Sequence, residues 1–213
     1  MTGSDRHFTI VDHPLVAHRL REMRDPATPP ERFRRLLHDI STVIACEASR
    51  DLPLRPGRVQ AALGEAEVAE ISVTPVVVPV LRAGLGMADA VRDIFPGARE
   101  GFIGMYRDPA THRPVEYYAK LPPAENSRFY LVDPMLATGQ TAVAAVDLLC
   151  RHGVAPADIR FLSLVTAPEG LARFRDGYPD IPVFTAALDE RLNEHDYIVP
   201  GIGDAGDRLF GTE

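Results

Sequence analysis

From Val73 onward, short β-branched runs alternate with amphipathic stretches, and nothing else in the sequence narrows the fold as much. The apolar runs fall at Pro75–Leu81, Gly101–Tyr106, Phe129–Val132, Ile159–Thr166, Pro182–Ala186 and Tyr197–Val199. Helical spacing occupies Leu85–Ile94, Gln140–His152 (with Gly153 as a stop signal) and Glu169–Arg175. Strands buried on both faces read as continuous apolar runs, so this order predicts an α/β fold with a mostly parallel central sheet flanked by helices. Ahead of it, residues 1–52 read as a helical segment. Leu15, Leu20 and Met23 share one stripe, Phe33, Leu36, Leu37, Ile40, Ile44 and Ala48 a second, and Pro26, Pro29 and Pro30 separate them. At about 150 residues per domain, 213 residues predict a single domain over 1–213 with at most a small appendage.

Charge and residue counts remove several function classes. The net charge of −7 argues against a nucleic-acid-binding surface, which would be basic. Lys120 is the sole lysine beside 22 arginines and has no glycine near it, whereas a P-loop needs lysine directly after its last glycine. Cys46 and Cys150 are too few for a thiolate zinc cluster, and Cys150 reads as a buried helical thiol. The apolar run from Ile71 to Leu81 is far short of a membrane span, and the first ten residues lack the apolar core of a signal peptide. A cytoplasmic protein with no membrane partner is expected.

In parallel sheets, ligands bind beyond the carboxyl ends of the strands. Three motifs stand at such junctions. In Phe129-Tyr-Leu-Val-Asp133-Pro-Met-Leu-Ala-Thr138-Gly139-Gln140-Thr141, a strand ends at a carboxylate and a short loop opens a helix. Helix-start N–H groups with the Thr138 and Thr141 hydroxyls suit a phosphate dianion, and Asp133 suits sugar hydroxyls. The same residues would also serve as turn and N-cap positions. Pro79-Val-Leu-Arg82-Ala83-Gly84-Leu-Gly86-Met87 offers an oxyanion donor and two glycines for close backbone approach to a ligand. Gly104-Met-Tyr-Arg107-Asp108-Pro-Ala-Thr111-His-Arg113 reads as a polar loop extending to Lys120, a lid over a site or a solvated excursion. Gly201-Ile-Gly203-Asp-Ala-Gly206 mimics a dinucleotide fingerprint, but only seven residues follow it, too few for the required helix and strand and for an acidic residue about 20 positions on. What survives is a glycine-rich loop whose backbone can read a small planar amide such as a pyrimidine.

Taken together these motifs resemble the uracil phosphoribosyltransferase family. His-Pro-Leu-Val at 13–16, Ala-Pro-Glu-Gly at 167–170, Leu-Asn-Glu-His at 192–195 and the run from Tyr197 to Thr212 join the three motifs above, so the similarity spans essentially the whole chain. The resemblance implies a type I phosphoribosyltransferase fold with a small hood. It implies the reaction uracil + 5-phosphoribosyl 1-diphosphate (PRPP) → UMP + diphosphate, with Mg²⁺ held through the substrate diphosphate rather than by a protein ligand set. Asp133, Pro134, Met135, Leu136, Ala137, Thr138, Gly139, Gln140 and Thr141 would hold the ribose and its 5-phosphate. Arg82 and Arg107 would bind the diphosphate. Ile198, Gly203, Asp204 and Ala205, in a C-terminal loop at about 197–212, would hold uracil, and Asp204 would also approach PRPP or its metal. Asp204, Arg107 and Asp133 are the expected catalytic set. A homodimer or higher homo-oligomer and a GTP effector come with the family.

Three departures stand out, one of them Glu190-Arg191 and Asp196 around the segment leading to the C-terminal loop. Gln140 replaces a glycine usual in the phosphate loop, which would strain a backbone needing positive φ there. Pro53 to Glu70 is unlike the family, rich in alanine and acid. Two other readings remain open at this point: an RNA-binding pyrimidine regulator on the same fold, and a phosphoribosyltransferase for another base. Orotate would want a basic partner for its carboxylate, and Arg208 is the one basic residue within Tyr197–Glu213.

Overall fold

The computed structural model describes residues 7–108 and 114–212. In chain order the strands are β1 (Phe8–Ile10), β2 (Leu54–Ala61), β3 (Gly64–Ile71), β4 (Thr74–Leu81), β5 (Arg99–Glu100), β6 (Phe102–Arg107), β7 (Pro114–Lys120), β8 (Ser127–Val132), β9 (Met135–Leu136), β10 (Ile159–Thr166), β11 (Val183–Leu188), β12 (Arg191–Leu192) and β13 (Ile198–Val199). The helices are α1 (Pro14–Arg24), α2 (Pro30–Ala48), α3 (Leu85–Ile94), α4 (Gln140–Arg151), α5 (Pro168–Gly177) and α6 (Ala205–Phe210).

The central sheet runs β1-β11-β10-β8-β4-β6-β7, parallel except for the β6–β7 pair. Its interior strands alternate between two cores, as the period of two requires. Val77, Tyr130, Val132, Leu162 and Leu164 face α1, α2, α3 and α6, while Val76, Val78, Phe129, Leu131 and Phe161 face α4 and α5. Pro79 sits in the middle of β4, where a missing N–H would break a ladder. It falls between the stretch paired with β5 (Val76 and Val77) and the stretch paired with β6 (Val80 and Leu81). On α4 the buried residues Ala142, Ala145, Val146, Leu148 and Leu149 form one helical stripe.

The mostly parallel, helix-flanked sheet is the expected one, and the short β12–β13 ribbon stands beside its carboxyl edge as a small hood. Several details differ. The N-terminal segment contains β1, which joins the sheet edge beside β11. Pro53 to Glu70 is mostly an antiparallel ribbon, β2–β3, carrying exposed residues on both faces. Half of the expected polar loop is β7, paired antiparallel with β6, while Thr111 and Arg113 lie outside the described residues. Cys150 is half-buried rather than sealed. Burial pushes its thiol up from the ordinary range. Among the described residues, no helix is long and apolar enough to cross a membrane.

Candidate active site

The site is built on the tip of β8. Asp133 follows its last residue, and the Asp133 N–H donates to the Leu162 carbonyl at 3.1 Å. Its Oδ1 accepts the Met135 N–H at 3.3 Å, closing a local turn. The Pro134 carbonyl takes the N–H groups of Leu164 and Val165 at 3.0 and 3.1 Å, and β9 then runs beside the end of β10. The loop is thus sewn to the sheet before it reaches Thr138.

Gly139 makes the turn into α4 with φ of 77°, and no side chain caps the helix. The first N–H groups of a helix have no intrahelical acceptor, so this is a place for an anion. A Cβ at Gly139 would lie 2.6 Å from the Gly170 carbonyl oxygen, and a Cβ at Gly170 would lie 2.3 Å from that of Ala137. Two glycines therefore let α5 press directly on the loop from behind. The Ala-Pro-Glu-Gly motif at 167–170 owes its glycine to this contact.

Opposite the loop lies the hood. Asn193 Oδ1 accepts the N–H groups of His195 and Tyr197 at 3.0 and 2.9 Å, and the Asn193 N–H donates to the Tyr197 carbonyl at 2.9 Å. This fixes the bend at Asp196, whose φ is 64°. Between loop and hood is a cavity of about 320 Å³. Asp133, Met135, Leu136, Ala137, Thr138, Gly139, Thr141 and Ala142 line one side, and His195, Asp196, Tyr197, Ile198 and Asp204 the other. Its size is near the lower end for small-molecule sites.

Of the second expected segment, Ile198 and Asp204 are thus brought onto one cavity with the 133–141 loop, whereas Gly203 and Ala205 are not among its lining residues. Asp204 caps α6, accepting the Asp207 N–H at 3.0 Å, and lines the cavity. Gly203 is exposed with φ of 73°, and Ala205 is buried at the start of α6. His195, Asp196 and Tyr197 were not foreseen as lining residues. Their signal was the Leu-Asn-Glu-His motif, whose asparagine organises the bend.

Other expected residues lie elsewhere. Pro134 and Gln140 are not among the cavity's lining residues. Gln140 is the first residue of α4, and positive φ falls on Gly139, so the anticipated strain at Gln140 does not exist. Arg82 also lies off the cavity lining. Its guanidinium is 3.6 Å from Asp207 Oδ1 and 5.4 Å from the centre of the Phe210 ring. Packing alone requires glycine at 84, since a Cβ there would lie 2.5 Å from the Val132 carbonyl oxygen. The Arg107 backbone ends β6, and its side chain lies outside the described residues. Among the described residues, no group of three or more His, Cys, Asp or Glu is arranged to hold a metal ion.

The family model for uracil phosphoribosyltransferase matches residues 10–212. A uracil phosphoribosyltransferase of Paracoccus denitrificans is 50% identical over 97% of this chain and 98% of its own length. That of Rhodospirillum centenum is 52% identical over 96% of this chain and 95% of its own. Among solved structures, protein AQ2163 of Aquifex aeolicus superposes with a TM-score of 0.91 at 32% identity, covering 97% of this chain and 99% of that one.

Proposed function

Because the chain belongs to the uracil phosphoribosyltransferase family, we propose that it transfers the phosphoribosyl group of PRPP to uracil, giving UMP and diphosphate in pyrimidine salvage. The observation that carries this reading is the cavity that the Asp133–Thr141 loop shares with Ile198 and Asp204. A sugar phosphate and a base must meet in one place for the transfer, and these two segments meet there.

In this reading the start of α4 and the Thr138 and Thr141 hydroxyls bind the 5-phosphate, and Asp133 orients the ribose hydroxyls. Ile198 and Gly203 to Ala205 hold uracil, largely through backbone groups. Arg82 and Arg107 grip diphosphate, since a guanidinium meets phosphate oxygens in a bidentate fork. Reaching it takes Arg82 away from Asp207 and Phe210. Uracil N1 attacks C1 of the ribose as the C1–diphosphate oxygen bond breaks, with no covalent enzyme intermediate. Charge develops on the sugar and the leaving group together, so positioned donors dominate the rate. Asp204 is the nearest candidate to receive the N1 proton.

Mg²⁺ fits this donor set. Asp133 and Asp204 place two carboxylates on one cavity, and Mg²⁺ is ordinarily held by one or two carboxylates with substrate phosphates and water. When bound, it would neutralise charge on the departing diphosphate. The rest of the proposal is one phosphoribosyltransferase domain over 1–213, working in the cytoplasm as a homodimer or higher homo-oligomer with GTP as an effector. The test is incubation with PRPP, Mg²⁺ and a panel of uracil, orotate, xanthine and adenine, following diphosphate release and the nucleotide formed. UMP from uracil alone is expected. Release with another base and none with uracil would overturn the assignment.

A further inference from the structure

The wall carrying Ile198 and Asp204 turns through Pro200, Gly201 and Ile202, and two arginines hold that turn. Arg24, the last residue of α1, reaches across to Asp189 at the end of β11. Its Nη1 donates to Asp189 Oδ2 at 2.9 Å and its Nη2 to Oδ1 at 2.6 Å. The same Nη1 donates to the Gly201 carbonyl at 2.7 Å. Asp189 Oδ2 in turn accepts the Gly201 N–H at 2.9 Å. One ion pair therefore holds both backbone polar groups of a single glycine.

Arg208 completes the grip from α6. Its Nη1 donates to the Ile202 carbonyl at 2.8 Å and to the Met23 carbonyl at 2.6 Å, and its Nη2 to the Asp25 carbonyl at 2.6 Å. The guanidinium lies 4.5 Å from the centre of the Phe33 ring. Burial lowers its pKa from the arginine range, with Asp25 acting in the opposite direction. Consecutive carbonyls at 201 and 202 thus each have a guanidinium donor, and the end of α1 is locked between them.

The Asp189 side chain is 4% exposed and that of Arg24 is 24% exposed, yet neither residue lines the site cavity. A buried ion pair is a poor way to gain stability, because desolvating both charges offsets most of their attraction. It is a good way to fix geometry. A guanidinium and a carboxylate present planar donors and acceptors in fixed directions, and an apolar pair of similar volume could not hold the N–H and C=O of Gly201.

We propose that Arg24 and Asp189 are positioning residues for the base. By fixing Gly201 they preset the backbone of Gly203 to Ala205, so that uracil meets its hydrogen-bonding partners without first ordering a loop. This rests on the uracil reading above. Ordering a loop on binding weakens affinity for the ligand that contacts it. Loosening the pair should therefore act on uracil far more than on PRPP, whose phosphate loop hangs from β8 and β10 and which meets this wall through Asp204 alone.

The experiment uses the full-length chain and the variants Arg24→Lys and Asp189→Asn. Lysine keeps the charge but cannot span both carboxylate oxygens and the Gly201 carbonyl. Asparagine keeps an acceptor for the Gly201 N–H but loses the charge. KM for uracil and KM for PRPP are measured separately, together with amide hydrogen exchange across 200–204 and a thermal melt. Arg24→Lys should raise KM for uracil at least tenfold, leave KM for PRPP within twofold, and speed exchange across 200–204. Asp189→Asn should show the same selectivity in milder form. Equal rises in both KM values, or no rise in either, would overturn the proposal. So would a failure of both variants to fold, which would make the pair a folding requirement. If only one fails to fold, the other decides. A wild-type chain that forms no UMP would instead sink the uracil reading, and faster exchange in the variants would still report whether the pair holds the loop.

Discussion

Gly170→Ala tests whether α5 shapes the phosphate loop from behind. Gly170 is buried in the first turn of α5. A Cβ there would meet the Ala137 and Leu136 carbonyl oxygens at 2.3 and 2.6 Å, where ordinary contact begins at 3.4 Å, so helix or loop must yield by about 1.1 Å. Two effects on stability oppose each other. Alanine improves helix propensity by up to about 1 kcal/mol, and overpacking costs about 1–3 kcal/mol. The net loss is about 0–3 kcal/mol, a fall in Tm of at most about 12 °C for a chain of this size. Function should suffer more, because a misplacement of about 1 Å at a reacting centre costs about 100-fold in rate. Initial rates of UMP formation at varied PRPP, beside a thermal melt, separate the two effects. A folded variant with kcat/KM for PRPP about 100-fold down is expected. A folded variant within threefold of wild type would refute the claim that this loop cradles PRPP.

Three further substitutions probe separate parts of the account. Asp204→Asn retains an acceptor for the Asp207 N–H, whereas Asp204→Ala also loses the helix cap, worth about 1 kcal/mol. Both should cut kcat/KM at least 100-fold by steady-state assay, and near-normal activity in the asparagine variant would reduce Asp204 to a cap. Gln140→Gly should leave KM for PRPP unchanged, since Gln140 is helical, and should cost up to about 1 kcal/mol in a denaturant melt; tighter PRPP binding would count against this. Asp51→Ala removes the partner of Arg160, whose side chain is 8% exposed against 53% for Asp51. With that exposure discounting a fully buried pair, a loss of about 1–3 kcal/mol is expected in the same melt, with activity retained.

How far the sequence reveals this structure depends on burial. β4, β8 and β10 are buried on both faces, so their apolar runs stand out from any background. β2, β3 and β7 pair in ribbons with mostly exposed residues, and nothing forces an apolar period onto them. The site divides similarly. Asp133 and the glycine before α4 form a local signal, because strand end, turn and helix start are adjacent in sequence. Gly139 and Gln140 were harder to tell apart, since only the backbone assigns positive φ to the first of them. Arg82 could be placed at a strand end but not against Asp207 and Phe210, which lie over a hundred residues away. The clamp from Arg24 to Asp189 and Gly201 is equally remote in sequence, and no local pattern announces it.

The most direct test of the central claim is a crystal structure of the protein with UMP. The account places the 5′-phosphate at the start of α4 against Thr138 and Thr141, the ribose beside Asp133, and the base against Ile198 and Gly203–Ala205. UMP bound anywhere else, or in this cavity with base and phosphate exchanged, would contradict it.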